Sequence, residues 1–134
     1  MTPGTTTPAA TIEHFSELLE QGRLDAILDL YDDSAAFVAE PGRTVSGIEA
    51  IRTELERLAA MSPRMSGRVE QVIEAGDTAL VAYRWTMEAT SPDGTAIRQG
   101  GLSADVLRRR PDGSWSVIID DPYGGARATL ETDA

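Results

Sequence analysis

Two adjacent carboxylates end the last apolar run of the chain, Gly113-Ser-Trp-Ser-Val-Ile-Ile-Asp-Asp-Pro-Tyr-Gly124. Ser114 to Asp120 is rich in β-branched and aromatic residues and follows a Pro111-Asp112-Gly113 turn, so it reads as a strand. Pro122 stops it, because proline has no N–H to continue a ladder. Alternation puts Ser116, Ile118 and Asp120 on one face and Trp115, Val117, Ile119 and Asp121 on the other. An acid delivered at the end of an apolar strand is either at an edge reaching water or on a pocket wall, where desolvation raises its pKa and makes it a usable base. The phase leaves two choices open. Asp120 keeps step with Ile118, whereas Trp115, a residue that prefers a core, keeps step with Asp121. Either acid could instead cap the turn before Pro122 through an Asx-type hydrogen bond.

Two more groups could join such a pocket. Glu40 ends a strand in Val38-Ala-Glu-Pro41, as a base at the mouth of an apolar cone or as a solvated acid before a turn. Tyr31 closes a helical stretch and could donate its hydroxyl to a substrate oxygen, or be a core tyrosine with its hydroxyl at the rim. No cysteine is present, which excludes disulfides, thiolate metal sites and a cysteine nucleophile. The single His14 rules out a multi-histidine zinc site and argues against a Ser-His-Asp triad. No metal and no cofactor is therefore expected.

These groups must be positioned by a core, and 134 residues at 41% hydrophobic content suffice for one domain. The formal charge of −10, with all twelve basic residues arginine, argues against a nucleic-acid partner. The N-terminus lacks the basic start and apolar run of a secretory signal, and no apolar run is long enough to span a membrane. The expected location is the cytoplasm.

Residues 1–10 are Thr/Pro/Gly-rich and read as a flexible tail, and residues 126–134 as a second one. The domain is expected over residues 11–125. Thr11 is a candidate N-cap for a helix carrying Ile12, Phe15, Leu18 and Leu19, stopped by Gly22; a short second helix carries Leu24, Ile27, Leu28 and Tyr31. Ala35 to Glu40 reads as a strand. Ser46-Gly-Ile-Glu49 has the capping-box spacing before a third helix with Ile48, Ile51, Leu55 and Leu58 on one stripe. The period then changes from helical to two, and Met65–Glu74, Thr78–Thr90, Ala96–Arg109 and Ser114–Asp120 read as four strands of an antiparallel meander. The alternation in Thr78–Thr90 turns Tyr83, Trp85 and Met87 toward the helices, where they would line a cone. Helices on one face of a curved, mixed, mainly antiparallel sheet make an α+β domain.

This order of elements, with Leu30-Tyr-Asp-Asp-Ser-Ala-Ala-Phe37, Ser46-Gly-Ile-Glu-Ala-Ile51 and Asp112-Gly-Ser-Trp115…Asp120, resembles the nuclear-transport-factor-two-like superfamily. Within it the chain is most similar to the SnoaL-like or ketosteroid-isomerase-like group. The resemblance implies a cone-shaped α+β barrel, a homodimer, and a small apolar oxygenated ligand of polyketide type. It places Asp120 at the acid/base position of the SnoaL-type cyclases and Glu40 at the proton-shuttling position of the ketosteroid isomerases. The isomerases' two oxyanion donors fall at Phe15 and Ala104, neither of which can donate, with Asp105 one residue off and on the other face. Phe15, Tyr83, Trp85, Met87, Ala104 and Ile118 are then the expected substrate-binding residues, with Asp120, Glu40 and Tyr31 catalytic. A cofactor-independent isomerase, cyclase, dehydratase or epoxide hydrolase fits this set; the rival is a non-catalytic binding or dimerisation module of the same fold.

Overall fold

The computed structural model describes residues 6–124, and the structural statements that follow concern those residues. Its elements are α1 (Pro8–Glu20), α2 (Leu24–Leu28), β1 (Tyr31–Glu40), β2 (Arg43–Ser46), α3 (Ile48–Ala59), β3 (Arg64–Ala75), β4 (Thr78–Thr90), β5 (Ala96–Leu102), β6 (Ala104–Arg109) and β7 (Trp115–Asp121). All seven strands join one sheet in the order β2-β1-β7-β6-β4-β3, with β5 running on from β6 along the far half of β4. Only β1 and β7 pair in parallel; the other pairs are antiparallel. Three helices on this curved, mixed, mostly antiparallel sheet give the α+β class expected from the sequence.

The core lies between the helices and one face of the sheet. Ile51 and Leu55 of α3, Leu18 of α1 and Ile27 of α2 are sealed there with Val81 of β4 and Leu107 of β6. Helical spacing in α3 and period-two spacing in β4 each turn one apolar set inward, so both amphipathic patterns meet in a single core.

Several local expectations are corrected. α1 starts before Thr11: Pro8 holds its first turn and Thr7 is the cap, its Oγ1 accepting the Ala10 N–H at 3.1 Å. Residues 8–10 therefore belong to the domain rather than to a tail. Thr11 is buried inside the helix, its hydroxyl donating to the Thr7 carbonyl at 2.8 Å. Residues 125–134, which include the expected C-terminal tail, lie outside the described residues. Tyr31 opens β1 rather than closing α2, because α2 ends at Leu28. The Ser46 capping box does not form. Ser46 is the last residue of β2, and Gly47, at φ 90°, is the cap, a backbone conformation that L side chains rarely adopt.

Two irregularities decide where the chemistry points. The β6–β7 register runs Ala104↔Asp121, Asp105↔Asp120, Val106↔Ile119 and then jumps to Leu107↔Val117, which leaves Ile118 as a one-residue bulge. A bulge inverts the alternation, so Trp115 and Val117 are buried before it and Asp120 faces the same side after it. At the break between β5 and β6, Ser103 stands opposite Tyr83: its N–H donates to the Tyr83 carbonyl at 2.8 Å and its Oγ accepts the Tyr83 N–H at 3.2 Å. From there Asp105 and Leu107 alternate inward and both are buried.

Candidate active site

A cavity of about 110 Å³ lies between α1 and the sheet. Its apolar wall includes Phe15 from α1, Phe37 from β1, and Trp85 and Met87 from β4; its polar wall includes Ser103, Asp105 and Asp120. β4 brings Tyr83, Trp85 and Met87 there by alternation. Trp85 is pinned by its indole N–H, which donates to the Pro122 carbonyl at 2.8 Å.

The acids at the polar end form one network. The Tyr31 hydroxyl donates to Asp120 Oδ2 at 2.5 Å. The Ser103 hydroxyl donates to Asp105 Oδ2 at 2.7 Å. Asp105 is only 3% exposed, and its Oδ1 is the sealed side-chain oxygen without a partner among the described residues. A buried lone oxygen opposite a carboxylate is satisfied by a proton. Burial first, and then the charge of Asp120, push Asp105 well above the usual carboxylate range, so Asp105 is the member that holds the proton and donates it toward Asp120. Burial raises Asp120 too, while the hydrogen bonds it accepts from Asp105 and Tyr31 pull it back down. Burial, then the charge of Asp120, push Tyr31 well above 10 and keep it a phenol. Two neighbouring carboxyls whose burial favours a retained proton can serve as proton donor and proton acceptor on one wall of the cavity.

The structure places the other expected residues as follows. Phe15 lines the cavity and stacks edge-on against Tyr31, with ring centroids 6.1 Å apart. Tyr31 reaches the site only through Asp120, so its hydroxyl is committed to that carboxylate rather than offered to a substrate. Asp121 faces away and accepts the Tyr123 N–H at 3.0 Å, capping the turn. Glu40 does not line the cavity. The Pro41-Gly42 turn brings Arg43 back onto it at 2.8 Å, on a rim where Glu40 is 61% exposed. Ala104 and Ile118 are not cavity residues either: Ala104 alternates outward and Ile118 is spent in the bulge. Asp105, expected on the outer face, is inside in place of Ala104. Sequence reasoning did not single out Ser103, although it keeps i, i+2 spacing with Asp105 and, beyond it, Leu107. The alternate set Leu102, Ala104, Val106 is the more apolar, and it was the resemblance that pointed to Ala104.

Among the described residues, no cluster of three or more His, Asp or Glu could hold a metal, and no helix is long and apolar enough to cross a membrane. The SnoaL-like domain family matches residues 12–118, and the chain belongs to that family. Solved structures of the same fold include a ketosteroid isomerase-like protein from Erwinia carotovora, at TM-score 0.73 and 17% identity over 83% of this chain and 88% of that one. A nuclear-transport-factor-two-like protein with a cystatin-like fold from Novosphingobium aromaticivorans aligns at TM-score 0.70 and 21% identity, over 90% and 84% of the two chains. SalBIII, an epoxide hydrolase/cyclase-like enzyme with a role in pyran ring formation in the polyether salinomycin, aligns at TM-score 0.63 and 17% identity over 87% and 89%. No protein of curated function matches by sequence. At these identities the likeness is one of fold.

Proposed function

We propose that this protein is a cofactor-independent acid–base enzyme acting on a small, mostly apolar, oxygenated metabolite of polyketide type. The observation that carries the reading is the Asp105–Asp120 pair, two carboxyls side by side on the wall of a mostly apolar cavity, both pushed above the usual carboxylate range by burial. Asp120 would take a proton from a C–H or from water while Asp105 delivers one to the oxygen where negative charge develops. The pair then exchanges roles or re-equilibrates with solvent, so no external reagent is needed. Tyr31 and Ser103 are positioning residues, each fixing one carboxyl. Isomerisation, aldol-type cyclisation and epoxide opening all use this proton inventory.

A panel of compact enones, β-hydroxyketones and epoxides tests the reading. Turnover in at least one class is expected, together with two cavity carboxyls titrating as a coupled pair above the ordinary range by ¹³C NMR. A protein that binds panel members without turning any over is instead a binding module. One observation favours that rival: Tyr31 is used internally, and Phe15 offers no donor.

The same proposal includes a homodimer through the outer sheet face. Ile73, Leu80, Val106 and Ile119 stand opposite one another across four neighbouring strands, and Ile119 is 44% exposed. An exposed apolar row of this kind across one sheet face supports an interface there. Ile119→Arg is expected to convert a dimer to a monomer by light scattering; a monomeric wild type would remove the dimer from the reading.

A further inference from the structure

The dyad occupies one end of the cavity; the other end has its own chemistry. Between α1 and β3 a surface depression is lined by Glu13, Glu17 and Glu20 together with Ser16, Met65 and Tyr83. The last three also line the cavity, so depression and cavity share a wall. Ser16 and Tyr83 are 9% and 7% exposed, yet neither hydroxyl has a hydrogen-bond partner among the described residues. Neither counts among the sealed unpartnered oxygens, of which Asp105 Oδ1 is the one found. Each hydroxyl therefore borders open space, along the α1–β3 neck of residues that depression and cavity share. The bare backbone of β3 makes this possible: a Cβ at Gly67 would stand 2.7 Å from the Tyr83 hydroxyl oxygen and 2.4 Å from the Arg84 carbonyl oxygen.

The charge at this neck has one sign. Three glutamates and no arginine line it. Glu20 is partly engaged, accepting the Met65 N–H at 3.0 Å, and His14 Nδ1 approaches Glu17 only at 3.8 Å. The depression on the α3 side, by contrast, balances Arg43 and Arg57 against Glu40 and Glu54. A one-signed rim above unpartnered hydroxyls selects a ligand that brings positive charge and hydrogens to donate.

We propose that the ligand of this cavity carries a protonated amine arm on a compact apolar body, with the amine at the α1–β3 neck and the reactive end beside Asp120. This rests on the acid–base reading and specifies its substrate. The ammonium donates to the Ser16 and Tyr83 hydroxyls and faces Glu13 and Glu17. A cavity of about 110 Å³ is smaller than the roughly 150 Å³ void that takes benzene, so the enclosed body is no larger than one six-membered ring and the amine arm lies in the neck.

Three matched probes test this by calorimetry: 3-phenylpropylamine, 3-phenylpropan-1-ol and 3-phenylpropanoate. The amine is expected to bind about tenfold more tightly than the alcohol, and the carboxylate most weakly, with the amine's advantage shrinking at high salt. The double variant Glu13→Gln/Glu17→Gln, altered on α1 away from the dyad, should lose that advantage and keep the alcohol's affinity. Equal binding of amine and alcohol overturns the inference, as does an amine preference that survives the double variant, or no binding of any probe. Turnover of the substrate panel is measured separately, so the acid–base reading stands or falls on its own result.

Discussion

Asp120→Asn is expected to lower kcat on the panel substrate by about 10²- to 10⁴-fold while leaving probe binding in place, the usual loss when a positioned general base is removed. The amide keeps the shape of the carboxyl and can still meet the Tyr31 hydroxyl, so the fold is retained. What disappears is the acceptor. In the wild type the rate should rise with pH as the pair loses its first proton and fall as it loses the second, and both apparent values belong to the pair. Tyr31→Phe separates the roles of the two groups. The Tyr31 hydrogen bond lowers the pKa of Asp120, so its removal should move the acidic limb to higher pH and leave the basic limb nearly fixed. An Asp120→Asn protein that keeps full turnover, or a Tyr31→Phe profile that does not move, would remove this carboxylate from the chemistry.

The architecture was legible because its signals are local and strong. The stripe Ile48, Ile51, Leu55, Leu58 reads as a helix with one buried side, and Thr78–Thr90 alternates between an apolar set and a mostly polar one. The site was legible only in part. Asp120 could be named, but its facing depended on Ile118, and nothing in Val-Ile-Ile announces which residue will bulge. The conflict between Trp115 and Asp120 was real information: a buried tryptophan and an inward acid five residues apart require an odd insertion between them. Asp105 was misplaced for another reason. The outer face carries its own apolar row, Leu80, Leu102, Val106 and Ile119, so alternation alone does not say which side of β6 is the core. Glu40 was misjudged because a strand went unread: Arg43–Ser46 has β-branched Thr44 and Val45 but only four residues, too few for alternation to show, and its pairing with β1 sets Arg43 opposite Glu40.

Asp105→Asn is expected to give a protein that melts higher than the wild type at pH 8 and has lost most of its turnover. The native pKa of Asp105 lies above its unfolded value, so the folded state binds the proton more tightly than the unfolded chain does. The stability tied to that proton is fully present below the ordinary carboxylate pKa, about 4, and is lost as pH rises through the native value, at up to about 1.4 kcal/mol per pH unit. Asparagine does not titrate, yet its amide N–H can still donate to Asp120 and its oxygen can still accept from Ser103. The variant's stability should therefore depend less on pH, matching the wild type near pH 4 and exceeding it increasingly toward pH 8, where each kcal/mol gained moves Tm by roughly 2–8 °C. Parallel stability curves for the two proteins would mean that Asp105 holds no proton at neutrality, and the assignment of acid and base would have to be abandoned. The expected pattern, a more stable protein that no longer turns over, identifies a group kept for chemistry at the expense of the fold. A residue serving only to close the cavity would show the opposite: stability lost on substitution, with turnover falling only as far as the folded fraction falls.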